Sequence, residues 1–169
     1  MGRGLCRKEV AMLLPFFQWV ETTRLHDAIA MSSWAFAVIE SVHLLALSVI
    51  GGAVLILDLR LLGLGLRRQT IAEVAREAHP WLVGSLIVMI VTGIALFVSE
   101  PTKCYYSTPF WVKMTSLALA MLFTFTVRRK VSLAEETRVR PIWLRTVALV
   151  SLTLWFGVGA GGRWIGFSG

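Results

Sequence analysis

Four long apolar runs alternate with short segments dense in arginine and lysine, and that alternation organises the whole chain. The runs extend from Trp34 to Leu57, Trp81 to Val98, Phe110 to Val127 and Trp143 to Gly161. A helix needs about 20 residues to cross roughly 30 Å of hydrocarbon, so the pattern predicts an all-α integral membrane bundle of four transmembrane helices. Tryptophans stand at Trp34, Trp81, Trp111 and Trp143, where an amphipathic indole suits the headgroup layer. Local punctuation agrees with helices. Thr108 and Pro109 make an N-cap and first-turn pair for the third run, and Pro141 opens the fourth. The segment "TIAE", Thr70 to Glu73, has capping-box spacing and predicts a short cytoplasmic helix ending by Pro80. No stretch alternates with a period of two, so no strand is predicted.

Ahead of the first run, residues 1–33 read as a tail with an interfacial amphipathic helix, and residues 34–169 as the four-helix transmembrane domain. The interfacial helix is predicted to begin near Pro15, with Phe16, Phe17 and Val20 towards lipid. Basic residues before "VAMLLPFFQWV" and an "AIA" ending at Ala30 also resemble a signal peptide. The polar, basic stretch "ETTRLHD" between them is long for a cleavage region, which favours the uncleaved helix. Met12 is an alternative start.

Composition strengthens the membrane reading and charge orients it. Of 169 residues, 56% are hydrophobic and 16% charged, a departure from the soluble average towards membrane proteins. The net charge of +7 does not point to nucleic acid, because the basic residues lie between apolar runs rather than along one face. Arg60, Arg67, Arg68 and Arg76 follow the first run; Arg128, Arg129, Lys130, Arg138, Arg140 and Arg145 follow the third. The second connection holds only Lys103 and Lys113. Positive-inside reasoning then puts the first and third connections in the cytoplasm and both termini outside, in the periplasm of a bacterial inner membrane. Cys6 and Cys104 form no CxxC pair, so neither a disulfide framework nor a zinc site is indicated.

Ionisable groups inside an apolar run are the candidate chemistry. In "FAVIESVHLLALSVIGG", Glu40 and His43 are three residues apart on one helical face, and Asp58 falls at the angle of Glu40 five turns later. Ser41, Ser48, Gly51 and Gly52 widen this stripe, which is predicted to face the bundle. Helix rise puts Glu40 roughly 9 Å and His43 about 14 Å beyond Trp34, towards the middle of a bilayer. A charge there costs about 2.5 kcal/mol or more, so such groups are paired, neutral or functional. Lys113 and Arg163 are the expected partners of Glu40, with His43 as the floor of an outward-facing pocket. The competing reading is that these groups pair with one another and lock helix packing.

Helix geometry separates the other candidates. A bis-histidine haem needs two imidazoles at one height, but His79 lies on the order of 15 Å from the level of His43 by helix rise. His26 is predicted outside and reaches His43 only if the N-terminal segment folds deep. A single-histidine haem b at His43 stays open, as does copper held by His43 with Glu40, Cys104 or His26. The glycines of "GVGAGG" match GxGxxG without the strand and helix that dinucleotide binding needs. Gly157 and Gly161 instead have GxxxG spacing, which suits close approach of another helix from this chain, a second copy or a membrane-protein partner. "CYYSTPFWVKM", with Tyr105 and Tyr106, reads as an aromatic girdle and also as a surface for a quinone or porphyrin edge. No nucleophile, base and orienter combine anywhere, so a stand-alone hydrolase is not indicated.

The strings "IESVHLLAL" (Ile39 to Leu47), "LDLRLLGLGLRRQ" (Leu57 to Gln69) and "KCYYSTPFWVKM" (Lys103 to Met114), with Ser99 and Glu100, resemble a family of small uncharacterised bacterial four-helix membrane proteins, grouped as a domain of unknown function. The first-run histidine followed by leucines and a small-residue pair is also similar to CopD-type copper membrane domains and to haem-binding membrane protoporphyrinogen oxidases. Either likeness implies His43 as a ligand. Two functions follow as expectations: a redox or metal module binding haem b or copper around His43, with Glu40, Lys113, Arg163 and Tyr105 lining the pocket, or a cofactor-free accessory subunit of a larger membrane complex. A proton or solute transporter, with Glu40 and His43 as its relay, is a further expectation beside these two.

Overall fold

The computed structural model describes residues 14–24, 26, 32–65, 68–133 and 140–165. Among these the fold is all-helical: α1 (Ser33–Leu62), α2 (Ile71–Ser99), α3 (Pro101–Tyr106), α4 (Thr108–Phe123), a π-helical turn (Thr124–Arg128), α5 (Arg129–Leu133) and α6 (Pro141–Ile165). Four stretches are long and apolar enough to cross a membrane: Trp34–Leu62, Ile71–Ser99, Thr108–Leu133 and Pro141–Trp164. α1 packs along α2 and α6, α4 packs along α6, and α5 reaches back to α2, which closes the four long helices into a ring.

Helix ends follow the local chemistry, though not always as the pattern predicts. Ser32 caps α1, its hydroxyl accepting from the Ala35 N–H, and Gly63 ends it in the left-handed conformation at φ 77°. The Thr70–Glu73 capping box is formed, but it opens the second long helix itself rather than a separate short one. α2 runs through Pro80 to Ser99. Proline removes one N–H and opposes the carbonyl four residues back; both effects fall in the amphipathic first part of α2, where Arg76, Glu77, His79 and Pro80 are exposed. At the third run the N-cap is Ser107, one residue before the predicted Thr108, and the extra short helix α3 precedes it.

Burial on α1 recurs at His43, Ala46, Ile50, Ala53, Val54, Leu57, Asp58 and Leu61, the spacing of a helix with one packed stripe. The predicted polar stripe is therefore only partly correct. His43 and Asp58 lie inside it, whereas Glu40, Ser41, Ser48 and Gly51 are exposed. The neighbour facing α1 changes along its length, so residues at one helical angle meet different surroundings. The outside of the bundle is apolar: Leu45, Val91, Leu122 and Phe156 are each more than 60% exposed.

The N-terminal segment also departs from expectation. Residues 14–21 are helical, but Phe17 and Val20 are buried rather than turned outward. The Phe17 ring meets Phe97 and Tyr105 edge-on, each at a centroid distance of 5.2 Å. Phe16 and Trp19 occupy the exposed side. Burying an aromatic edge against two rings stabilises docking beyond area alone.

Candidate functional site

His43 is brought by α1 into a three-helix contact. Its Nδ1 is 2.9 Å from Thr92 Oγ1 on α2, and its Nε2 is 3.3 Å from Lys113 Nζ on α4. Hydrogen-bond directions follow from Thr92, whose hydroxyl donates to the Val88 carbonyl at 2.7 Å. Its oxygen is then the acceptor for the His43 Nδ1–H, so Nε2 carries a lone pair and accepts from Lys113. A continuous chain results: Lys113 to His43 to Thr92 to the Val88 carbonyl.

Glycines make this contact close. A Cβ on Gly93 would stand 3.3 Å from His43 Cε1, and a Cβ on Gly161 would stand 3.3 Å from the Lys113 Cα. Gly157 meets Ser116 in the same way, at 3.2 Å from its hydroxyl oxygen. The GxxxG face of α6 thus packs closely on α4 of the same chain at Gly157 and Gly161. The expected Glu40 pair with Lys113 is replaced by the His43–Lys113 contact, because Glu40 points out of the bundle. Arg163 is exposed near the end of α6.

The remaining predicted residues separate. His26 donates from Nδ1 to the Val98 carbonyl at 2.8 Å, at the far end of α2 from His79. Tyr105 is buried, its carbonyl accepting from Trp111 Nε1 at 3.1 Å, while Tyr106 is exposed. Cys104 is a free, half-buried thiol; burial and the nearby Glu100 carboxylate push its pKa up. Cys6 lies outside the described residues. Among the described residues no group of three His, Cys, Asp or Glu side chains could hold a metal ion. Both ring nitrogens of His43 are engaged, and ligation through Nε2 requires Lys113 to withdraw. The residues as placed do not fit a haem b or copper centre.

A second polar centre lies about 22 Å along α1, fifteen residues beyond His43. Asp58 is fully buried and its Oδ1 accepts from Arg128 Nε at 3.0 Å. Arg128 is 3% exposed and donates from Nη2 to the Val54 carbonyl at 3.0 Å. The charge pattern assigns Arg128 to the cytoplasmic connection, yet the third long helix continues past Val127. Its π-helical turn is wider than an α turn, which holds residues four apart on one face instead of letting them drift. Thr124, Arg128 and Ser132 are accordingly all buried. Thr124 Oγ1 accepts from Trp155 Nε1 at 3.1 Å. A buried carboxylate at Asp58, directly after an apolar run, demands a cation nearby, and that is the available signal for Arg128. Thr92, a hydroxyl beside Gly93 in an apolar run, carries a weaker one.

No curated protein and no solved structure matches the chain, so the likeness to CopD-type domains and membrane protoporphyrinogen oxidases rests on the first-run residues alone. The model of a family of unknown function, DUF6644, matches residues 16–168, and the chain belongs to that family.

Proposed function

We propose that this is a multi-pass membrane protein whose working centre is the His43–Lys113 pair, which holds a single proton between the helices and passes it between Lys113 Nζ and His43 Nε2. The four long helices with an apolar exterior support the membrane setting. One observation carries the functional reading. The hydrogen-bond chain fixed by Thr92 leaves His43 Nε2 as an acceptor facing the Lys113 ammonium at 3.3 Å. Two positive charges at that separation repel. The pair therefore carries one proton rather than two. It sits about 15 Å along α1 from its start, where a net charge is costly and proton occupancy is a functional choice.

Haem b or copper at His43, with Glu40 orienting the imidazole, requires Lys113 to leave Nε2 and Glu40 to turn inward. The proton-holding reading needs neither movement. Its test is proton flux in vesicles reconstituted with the full chain and loaded with a pH-sensitive dye. The expected result is faster collapse of an imposed pH gradient than in empty vesicles, and a return to the empty-vesicle rate in Lys113→Met and His43→Gln. Far-UV circular dichroism verifies that both variants keep their helices. A wild-type rate equal to that of empty vesicles overturns the reading. So does a Soret band or stoichiometric copper in the purified protein that disappears in His43→Ala.

A further inference from the structure

A cavity of about 350 Å³ opens between α2 and the π-helical turn with α5, away from the His43–Lys113 pair. Its polar wall is cationic. Arg76 and His79, three residues apart on one face of α2, meet Arg128 and Arg129 from the opposite side, and no Asp or Glu lines it. Apolar side chains, Leu82 and Phe125 among them, form the rest. The volume is that of a small-ligand site.

Arginines at a helix end are common in proteins that follow the positive-inside rule, so exposed Arg76 and Arg129 alone decide nothing. Arg128 is different. It lines the cavity while being only 3% exposed, and Asp58 and the Val54 carbonyl use two of its five N–H groups. The other three have no acceptor among the described residues. A buried guanidinium with spare donors is held in place from behind by Asp58 and faces a cavity with two further arginines. The π-helical turn that delivers Arg128 is a distortion often found at functional sites.

We infer that this cavity binds a phosphate-bearing anion, with Arg76, Arg128 and Arg129 holding the phosphate and the apolar wall taking attached hydrocarbon. Guanidinium groups match phosphate oxygens through paired N–H donors. The two sources of that chemistry are the headgroup of an anionic phospholipid and free phosphate. His79 supplies a further donor at the rim.

The test is native mass spectrometry of the full detergent-purified chain with three probes: phosphatidylglycerol, diacylglycerol and inorganic phosphate. One bound phosphatidylglycerol per chain, with diacylglycerol not retained, assigns the site to a lipid headgroup. One bound phosphate with the same dependence on the arginines assigns it to the free anion. The double variant Arg76→Gln, Arg129→Gln leaves the Asp58–Arg128 pair intact and should weaken binding about 30-fold, taking each arginine as worth about 1 kcal/mol. The double variant Arg140→Gln, Arg145→Gln removes equal charge elsewhere and should leave binding unchanged. Lys113→Met should also leave it unchanged, so failure here is separable from failure of the proton-holding reading. Absence of binding by both phosphate probes, equal retention of diacylglycerol, or equal weakening by the two double variants overturns the inference.

Discussion

Stranding Arg128 by Asp58→Ala is the sharpest perturbation the structure offers. The two side chains are 0% and 3% exposed and lie 3.0 Å apart. At that distance and an effective dielectric of about 20, their attraction is about 5.5 kcal/mol. Desolvation of both ions offsets much of that gain, so the pair itself contributes little net stability. Removing one partner is another matter, because the remaining charge keeps its desolvation cost and loses its attraction. The expected loss for Asp58→Ala is about 3 to 5 kcal/mol. Arg128→Met should cost less, since the buried carboxylate can take up a proton while the guanidinium cannot lose one. The double variant Asp58→Leu, Arg128→Met should recover much of the loss, with the two single effects exceeding the double by about 2 kcal/mol. The assay is unfolding by sodium dodecyl sulfate in mixed micelles, followed by far-UV circular dichroism. Single effects below about 1 kcal/mol that simply add would refute the reasoning, and with it the claim that these groups are buried as a charged pair.

Two further outcomes test the packing and the connection between α2 and α4. Gly161→Ala places a Cβ 3.2 to 3.3 Å from Lys113 backbone and Cβ atoms and should destabilise by about 1 to 3 kcal/mol in the same unfolding assay. Gly159→Ala meets nothing within 4 Å and should gain up to about 1 kcal/mol from helix propensity, so equal effects at the two glycines would contradict the α4–α6 contact. Burial and then Glu100 raise the Cys104 pKa above its usual 9.0, so maleimide labelling should be slow at neutral pH and still accelerating above pH 9. Glu100→Gln should move that acceleration to lower pH; a labelling rate that levels off below pH 8 would show that the thiol is not held up.

The hydrophobic pattern made the four long helices legible because each is apolar over a length sufficient to cross a membrane, whatever it packs against. The capping box at Thr70 and the proline at Pro141 were equally legible, since both act within one turn. Elements that depend on distant contacts were not. Charge spacing ends the third helix near Val127, whereas Asp58, seventy residues earlier, draws Arg128 inward and the helix runs on to Leu133. Phe17 looks like a lipid-facing aromatic until Phe97 and Tyr105 supply a groove for it.

The candidate site divides along the same line. That His43 and Asp58 lie in an apolar helix and need partners is determined by their positions in the sequence, because the cost of burying polar groups does not depend on the fold. Which partners they receive is a tertiary matter. Glu40 is one turn from His43 on the same helix, yet it faces outward, while Lys113 and Thr92 come from two other helices. Helical periodicity gives a side chain its angle on its own helix, but it carries no information about which neighbour crosses at that height. The close approach at Gly93 and Gly161 decides that crossing, and with it the contact between Lys113 and His43.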